Sequence, residues 1–189
     1  MSAHTVLRRL GLASALRRLY RIDVVGAERI PDDGGAIVVA NHESIWDPFV
    51  LGVATPREIH YMAKAELFRL RPLAAALRSL NAFPVERGSG DRAAISEAAR
   101  RLRRGELLGI FPQGTSIPER QNGWHRGSAR LALATGVPVV PVRLSGTRPL
   151  PGPTRIRIVV KEQIEVPVAR PTIAAARSLT AQLEEAVTA

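Results

Sequence analysis

Cysteine is absent from the 189-residue sequence, which excludes a disulfide framework, a thiolate metal ligand and a cysteine nucleophile. Aromatic residues make up only 4% of the chain and are scattered, which disfavours a single-strand nucleic-acid binder, because such proteins stack bases on clustered rings. No uncharged apolar run reaches the ~18 residues expected of a membrane-spanning helix. Arginines interrupt the first apolar stretch, so a signal peptide is not expected. These absences favour a cytoplasmic protein that is at most peripheral on the inner face of the membrane.

Several nucleotide and hydrolase motifs are also missing. The chain has no G-x-x-x-x-G-K-[ST] and no G-x-G-x-x-G, so a nucleotide cradle is not expected. It has no G-x-S-x-G, so the nucleophile elbow of a serine hydrolase is not expected either. No pair among the histidines has the spacing of zinc ligands, and we predict no metal site. These histidines are His4, His42, His60 and His125.

Positive charge is abundant. The sequence has 27 Lys and Arg against 17 Asp and Glu, which gives a formal net charge of +10 and a pI near 11.4. This excess favours a partner that carries phosphates: nucleic acid, an anionic membrane or a phosphorylated substrate. The scarcity of aromatic residues makes nucleic acid the weakest of the three. With 46% hydrophobic residues, the length suits a single folded domain over residues 1–189.

Strand and helix patterns alternate along the chain, which predicts an α/β fold with a mostly parallel central sheet and helices on both faces. Strands are expected at 22–25, 36–40, 58–62, 82–85, 107–111, 137–142, 154–160 and near Ile164. Helices are expected at 3–20, 48–54, 64–80 with a second segment from about Arg71, 91–104 with Asp91 as cap, 127–135 and 172–187. Alternating Arg and Ile indicates that 154–160 is an edge strand. The N-terminal helix, residues 1–20 at most, either faces the membrane with its leucines and arginine pairs or packs on the domain.

The segment 41–47 reads Asn-His-Glu-Ser-Ile-Trp-Asp and follows the apolar run 36–40. Such a run predicts a buried strand that delivers His42 to the carboxyl edge of the sheet, where open α/β proteins form their sites. A straight helix would place His42 and Asp47 about 140° apart, and a strand would place them about 16 Å apart, so contact requires a turn.

Pro48 supplies a reason for such a turn. It favours a helix start with Asp47 as N-cap, and the fold-back can bring the carboxylate to the imidazole. A carboxylate there would fix the tautomer of His42 and stabilise its imidazolium form. From these residues alone, a simple helix cap beside a loop histidine stays open.

Four blocks, in this order, resemble those of the glycerolipid acyltransferase family, the bacterial lysophosphatidate and glycerol-phosphate acyltransferases. The resemblance covers roughly residues 20–170. The first block resembles N-H-x-x-x-x-D, the second carries an arginine after a short strand, the third resembles F-P-E-G-T-R, and the fourth is apolar and proline-rich. They fall at Asn41 to Asp47, Phe83 to Arg87, Phe111 to Thr115 and Val137 to Val142.

The third block departs from the family pattern at two positions. Gln113 stands where the family has glutamate, which keeps an acceptor oxygen but loses the charge. Ser116 stands where the family has arginine, which removes a bidentate fork for phosphate. Arg120 or Arg126 could reach back to replace that fork. The departures bear on the identity of the acceptor more than on the acyl chemistry.

The resemblance implies transfer of a fatty acyl group from acyl-CoA or acyl-carrier protein to a hydroxyl of a glycerophosphate-type acceptor such as lysophosphatidate, in phospholipid biosynthesis. His42 would be the general base and Asp47 would orient it, without a protein nucleophile, a metal or another cofactor. The implied substrate-binding residues are Asn41, Arg87 for the acceptor phosphate, Gln113, Gly114 and Thr115. An anionic membrane surface is the expected partner. A different hydroxyl acceptor stays open, and so does a non-catalytic lipid- or membrane-binding protein with this fold.

Overall fold

The computed structural model describes residues 12–85 and 92–189, which form a seven-stranded sheet flanked by helices. The strands are β1 (Asp23–Val25), β2 (Ala36–Ala40), β3 (Ile59–Lys64), β4 (Ala82–Val85), β5 (Leu107–Ile110), β6 (Val139–Ser145) and β7 (Arg157–Val160). The helices are α1 (Leu12–Leu19), α2 (Asp47–Leu51), α3 (Arg71–Ser79), α4 (Arg92–Arg103), α5 (Gly127–Thr135) and α6 (Ile173–Thr188). The strand order is β1-β7-β6-β2-β5-β3-β4, and every neighbouring pair is parallel except β6 and β7. This confirms the predicted α/β class with a mostly parallel sheet.

Strand β2 is the centre of the sheet, with three strands on each side. All five of its residues are buried, as expected for a strand that is covered on both faces. Its even-numbered and odd-numbered side chains enter two different apolar clusters. A short β-branched run therefore suffices to identify the strand that carries the site.

Helices cover both faces of the sheet. On one face the core includes Val38, with α2 and the residues beside α1 and α3 packed against it. On the other face the core includes Ile37 and Val39, and the buried sides of α4, α5 and α6 close over them. Among the described helices, none combines the length and apolar character needed to cross a membrane.

Two predicted strands at the end of the sheet are wrong in detail. The segment 154–160 was expected to be an edge strand, but its strand, β7, lies between β1 and β6, and β1 forms the edge. The Arg/Ile alternation reports which side chains face the core, and it does not report whether another strand pairs alongside. Ile164 makes only an isolated bridge to Val139, so the predicted strand there does not form.

The helical region after β3 begins in a different conformation from the one expected. Residues 65–69 form a 3-10 segment, and the α-helix proper, α3, begins at Arg71 with Pro72 in its first turn. This agrees with the predicted second segment, because proline lacks the N–H that an interior helical position needs. Part of the predicted helix 3–20, the loop 86–90 and the predicted cap Asp91 lie outside the described residues.

Candidate active site

The site lies where three neighbouring parallel strands end. β2 pairs with both β5 and β6, so their carboxyl ends meet at one edge of the sheet. Asn41, which follows β2, spans the gap to β6: its Oδ1 accepts from the N–H of Leu144 at 2.7 Å, and its Nδ2 donates to the carbonyl of Leu144 at 2.9 Å. The carboxamide thus continues the sheet pairing by one residue and fixes the position from which His42 leaves the strand.

His42 and Asp47 are in direct contact. Nδ1 of His42 lies 2.8 Å from Oδ2 of Asp47. Because a carboxylate accepts, the imidazole must donate from Nδ1, and neutral His42 then carries its lone pair on Nε2. The structure therefore brings together the two residues that the sequence predicted as a catalytic pair.

Asp47 reaches His42 by a route that differs from the predicted one. We expected Asp47 to cap a helix that starts at Pro48, but it is itself the first residue of α2, with Trp46 in the cap position and no capping bond from a side chain. The carboxylate turns back instead, and its Oδ2 accepts from the N–H groups of Glu43 at 2.7 Å and Ser44 at 2.8 Å. The N-cap prediction is wrong because the turn before the helix offers donors of its own, and the same oxygen also holds the imidazole.

The imidazole of His42 is held in a half-covered position. Phe111, at the end of β5, stacks on it with ring centroids 4.4 Å apart and an interplanar angle of 24°. The His42 side chain keeps 17% of its surface exposed, whereas Asp47 is fully buried. Among the residues that the structure describes, none hydrogen-bonds to Nε2. The ring is thus fixed on two sides, and the nitrogen with the lone pair is left for a reactant.

Tyr61, in β3, packs against residues that position the His42–Asp47 pair. Its hydroxyl donates to the carbonyl of Pro48 in α2 at 2.8 Å, and its ring lies beside Phe111. Burial, with a contribution from the Asp47 carboxylate, raises the pKa of Tyr61, so the phenol stays neutral and remains a donor. Glycine at position 109 is required by this packing, because a Cβ there would lie 2.4 Å from the Tyr61 ring.

Gln113 contacts the backbone of His42. Its Oε1 accepts from the His42 N–H at 2.6 Å, and its Nε2 donates to Oε1 of Gln121 at 3.1 Å. Gln121 donates in turn to the carbonyls of His42 at 2.9 Å and Thr115 at 3.1 Å. The structure places Gln113 at the site as the third block suggested, and its role in substrate binding stays a prediction.

The remaining predicted site residues are distributed as follows. Gly114 has φ of 75°, a left-handed conformation that favours glycine, and its N–H closes a turn onto the carbonyl of Phe111. Thr115 lies next to it, and its hydroxyl accepts from the N–H of Ile117 at 3.2 Å. Arg87, the predicted ligand of the acceptor phosphate, lies outside the described residues. Within the described ranges, no group of three or more His, Cys, Asp or Glu side chains could hold a metal ion.

Sequence reasoning missed two side chains at this site. Phe111 was quoted only as part of the third block, although its position at the end of a strand beside β2 could have identified it as a neighbour of His42. Gln121 lies in the stretch 116–126, which has no periodicity, and no sequence signal marks it.

Glu43 is a second carboxyl group beside the His42–Asp47 pair. Burial raises its pKa above the ordinary value, and Asp47 raises it further, while Arg148 and Arg143 act in the opposite direction. A carboxyl whose pKa is raised on folding binds more protons in the folded state, so its ionisation costs stability as the pH rises through the folded pKa. Glu43 should therefore destabilise the protein at neutral pH but not in acid.

Glu43→Gln tests this expectation. The amide keeps an oxygen for the contact from Asn41, which is 3.4 Å long, and it removes the charge. Below about pH 4 the variant and the parent should have nearly equal unfolding free energies, and the variant should become the more stable of the two as the pH rises to 8. Thermal unfolding between pH 4 and pH 8 measures the difference, with Glu165→Gln at an exposed position as the matched control. A difference that does not change with pH would contradict the expectation.

The geometry and electrostatics together define the class of chemistry that the site supports. A histidine is oriented here by a buried carboxylate, and among the described residues no serine hydroxyl is hydrogen-bonded to its Nε2. This arrangement suits the activation of a hydroxyl group on a bound substrate. The fold and the site thus define an α/β protein with a His–Asp pair at the carboxyl edge of a parallel sheet. Comparison with known proteins makes the assignment specific: the sequence model of the Acyltransferase family matches residues 21–145, and the chain belongs to this family.

Similar proteins and a solved structure agree with this assignment. The chain is 35% identical over 126 residues to the 1-acyl-sn-glycerol-3-phosphate acyltransferase of Bacillus subtilis strain 168, which covers 66% of this chain and 63% of the relative. It is 33% identical over 128 residues to the protein of the same name in Pseudomonas aeruginosa, covering 65% of this chain and 48% of that protein. The crystal structure of the 1-acyl-sn-glycerophosphate (LPA) acyltransferase PlsC from Thermotoga maritima superposes with a TM-score of 0.67 at 26% identity, over 93% of this chain and 76% of that one. The chain therefore spans less than two thirds of the length of the Bacillus subtilis and Pseudomonas aeruginosa relatives.

Proposed function

We propose that this protein transfers a fatty acyl group from a thioester to the free hydroxyl of 1-acylglycerol-3-phosphate. The observation that carries the proposal is the 2.8 Å contact between Nδ1 of His42 and Asp47, which leaves Nε2 as the proton acceptor. The names of the Bacillus subtilis and Pseudomonas aeruginosa relatives, and that of the Thermotoga maritima structure, support this choice of acceptor. The product would be a phosphatidate, and the proposed role is in phospholipid biosynthesis.

The proposed reaction is a single displacement at the thioester carbonyl. Nε2 of His42 takes the proton of the acceptor hydroxyl as the oxygen attacks, because a free hydroxyl is a poor nucleophile at neutral pH. The new C–O bond forms, the C–S bond breaks, and the thiolate leaves with the proton that His42 has held. Asp47 stabilises the imidazolium between these two steps. The thioester supplies the activated acyl group, so the proposed step involves no further cofactor.

The donor is proposed to be either acyl-CoA or acyl-carrier protein, since both are anionic and the chain carries a formal net charge of +10. On the acceptor side, Asn41, Gln113, Gly114 and Thr115 are proposed to shape the end of the site that receives the glycerophosphate. Arg87 is proposed to hold its phosphate through paired charge-assisted bonds.

Mass spectrometry of the products is the direct test of this activity. The purified protein is incubated with lysophosphatidate and either palmitoyl-CoA or palmitoyl-carrier protein, and phosphatidate is expected with at least one donor. Product from another lyso-lipid, with none from lysophosphatidate, would overturn the proposed acceptor. Absence of turnover on a whole panel of hydroxyl acceptors would instead favour a non-catalytic lipid-binding protein.

We further propose that the sheet face covered by α1, α2 and the segment 65–79 contacts an anionic membrane. Several large apolar side chains are exposed on these elements and beside them: Leu19 at 70%, Ile45 at 72% and Leu70 at 64%. Arg17 joins α1 to the end of α2 by a 2.6 Å bond to the carbonyl of Val53. Apolar side chains among arginines match the interface of a bilayer with acidic head groups. The site would then open beside the membrane that holds its lipid acceptor.

Substitution of two of these side chains tests the membrane proposal. Ile45→Ser together with Leu70→Ser should lower the affinity for phosphatidylglycerol vesicles by about tenfold or more, because each buried side chain of this size contributes ~1.5 kcal/mol or more. Ile173→Ser with Val168→Ser is the matched control, since these residues are 73% and 75% exposed on or near α6, which packs on the other face. Sedimentation with vesicles measures both pairs, and equal losses in the two would contradict the assignment of the face.

A further inference from the structure

We infer that Gln121 is a positioning residue for His42, and that it acts as the obligatory partner of Gln113. The inference rests on the proposed function, since it concerns the geometry of the proposed general base. Gln121 follows the 3-10 turn Pro118–Arg120, and its own N–H is fixed to the carbonyl of Pro118. Its side chain reaches back from this loop to the end of β2.

The two amides hold both backbone polar groups of His42. The His42 N–H donates to Gln113 at 2.6 Å, and the His42 carbonyl accepts from Gln121 at 2.9 Å. The neighbouring residues are held by other groups: Asn41 by Leu144, and the next two N–H groups by Asp47. The glutamine pair is therefore the part of the loop that fixes the peptide from which the catalytic imidazole projects.

Each amide can be oriented in only one way. Gln121 faces two backbone carbonyls, those of His42 and Thr115, so its NH2 group must point at them and its oxygen must point at Gln113. Gln113 must then present its NH2 group to Gln121 and its oxygen to the His42 N–H. Backbone groups at both ends thus determine the direction of the whole hydrogen-bond chain, and a flip of either amide breaks it.

The family pattern F-P-E-G-T-R has glutamate at the position of Gln113. A glutamate at position 113 would not fit this arrangement. A carboxylate could accept from the His42 N–H, but its second oxygen would face the oxygen of Gln121 with no proton between them. Turning Gln121 around would place its oxygen against two carbonyls. Glutamine at 113 and glutamine at 121 are therefore a matched pair, and the departure of this chain from the family pattern has a local structural counterpart.

A lysine at position 121, in place of the glutamine, would suit a glutamate at position 113. After Gln113→Glu, the three groups around the end of side chain 121 are all acceptors: the carboxylate, the His42 carbonyl and the Thr115 carbonyl. The ammonium of Gln121→Lys supplies three N–H donors on a side chain one bond longer. In the parent background the same lysine would face the NH2 group of Gln113, so it should help only when position 113 is glutamate.

Steady-state kinetics with lysophosphatidate and an acyl donor test the pairing. Gln121→Glu and Gln121→Lys should each lower kcat by about tenfold to a hundredfold with KM values within about twofold, because a shift of the base by ~1 Å can reduce the rate by that amount. Gln113→Glu should lower kcat to a similar extent. The double variant Gln113→Glu/Gln121→Lys should recover to within about threefold of the parent. Gln182→Glu, at an exposed position on α6, is the matched control. Parental kcat in the single variants, or a double variant no better than Gln113→Glu alone, would overturn the inference.

A measurement that does not depend on turnover separates this inference from the proposed function. Diethyl pyrocarbonate modifies accessible histidines, and mass spectrometry compares the rate at His42 with that at the exposed His125 in the same sample. Loosening of the His42 peptide should raise that ratio at least threefold in Gln121→Glu and return it towards the parent value in the double variant. If the parent transfers no acyl group, a raised ratio still supports the positioning role, and an unchanged ratio overturns it. Should Gln121→Glu fail to fold, Gln121→Met, which has a similar shape and no donors, gives the same comparison.

Discussion

His42→Ala is expected to reduce acyl transfer by about 10²–10⁴-fold, which is the usual contribution of a positioned general base. The loss should appear in kcat, because the imidazole acts on the proton of the bound acceptor and its removal leaves the walls of the site in place. Product formation from lysophosphatidate with a saturating acyl donor measures the change. His125→Ala removes an exposed histidine nearby and should keep the parental rate.

The same substitution should leave the fold nearly intact. His42 is partly exposed, and its ring contributes one stack on Phe111 and one bond to Asp47, while the carboxylate keeps its two backbone donors. For a chain of this length, ~1 kcal/mol corresponds to ~2–4 °C, so the melting temperature should fall by no more than a few degrees. A purified variant that turned over at the parental rate would refute the assignment of the base. A variant that unfolded at room temperature would show that His42 has a mainly structural role.

The parts of the site that follow from regular structure were predictable from the sequence. The run 36–40 is uniformly apolar, and a strand of that kind must lie between two covered faces. Asn41 and His42 directly follow this strand, so they were expected at the carboxyl edge of the sheet. Pro48 made a turn expected, and a turn could bring Asp47 to His42, but these residues alone left a simple helix cap open.

The parts that depend on particular loop geometry were not predictable. Asp47 meets His42, as expected, but it does so by gathering the N–H groups of Glu43 and Ser44, and no sequence rule separates this from an ordinary helix cap. Gln121 reaches the site because the carbonyls of His42 and Thr115, which belong to two different loops, lie within reach of one amide. The position of β7 inside the sheet was missed for a related reason: alternation reports which face a side chain occupies, whereas strand order depends on the rest of the chain.

Three sets of partners hold the successive residues of the loop at the end of β2. A carboxamide continues the strand pairing at Asn41, the glutamine pair holds His42, and a buried carboxylate holds the next two residues. Such preorganisation keeps the imidazole in place without movement at the moment of reaction. Oδ2 of Asp47 holds both the loop and the imidazole. A substitution of Asp47 is therefore expected to lower the stability and the reaction rate together.

Asp47→Ala should therefore reduce both the stability and the activity. Its fully buried Oδ2 accepts from two backbone N–H groups and from His42, and each orphaned N–H costs about 1–3 kcal/mol. A loss of about 3 kcal/mol corresponds to a fall in melting temperature of about 6–12 °C for a chain of this length. This distinguishes Asp47→Ala from His42→Ala, which should lose activity with little change in stability. Thermal and denaturant unfolding of the two variants side by side measures the contrast.

Asp47→Asn separates the charge of the carboxylate from its hydrogen bonds. All three donors converge on Oδ2, whereas the buried Oδ1 has no hydrogen-bond partner among the described residues, so an asparagine can keep its oxygen on the donors and place its NH2 group at the Oδ1 position. That NH2 group lacks an acceptor, and the expected stability loss is about 1–2 kcal/mol, smaller than for alanine. Activity should nevertheless fall, by no more than the ~10²–10⁴-fold expected for His42→Ala, because a neutral amide stabilises the imidazolium that forms when His42 takes the proton less than a carboxylate does. A stable Asp47→Asn variant with parental kcat would show that Asp47 only shapes the loop, and the electrostatic part of the proposed mechanism would then be wrong.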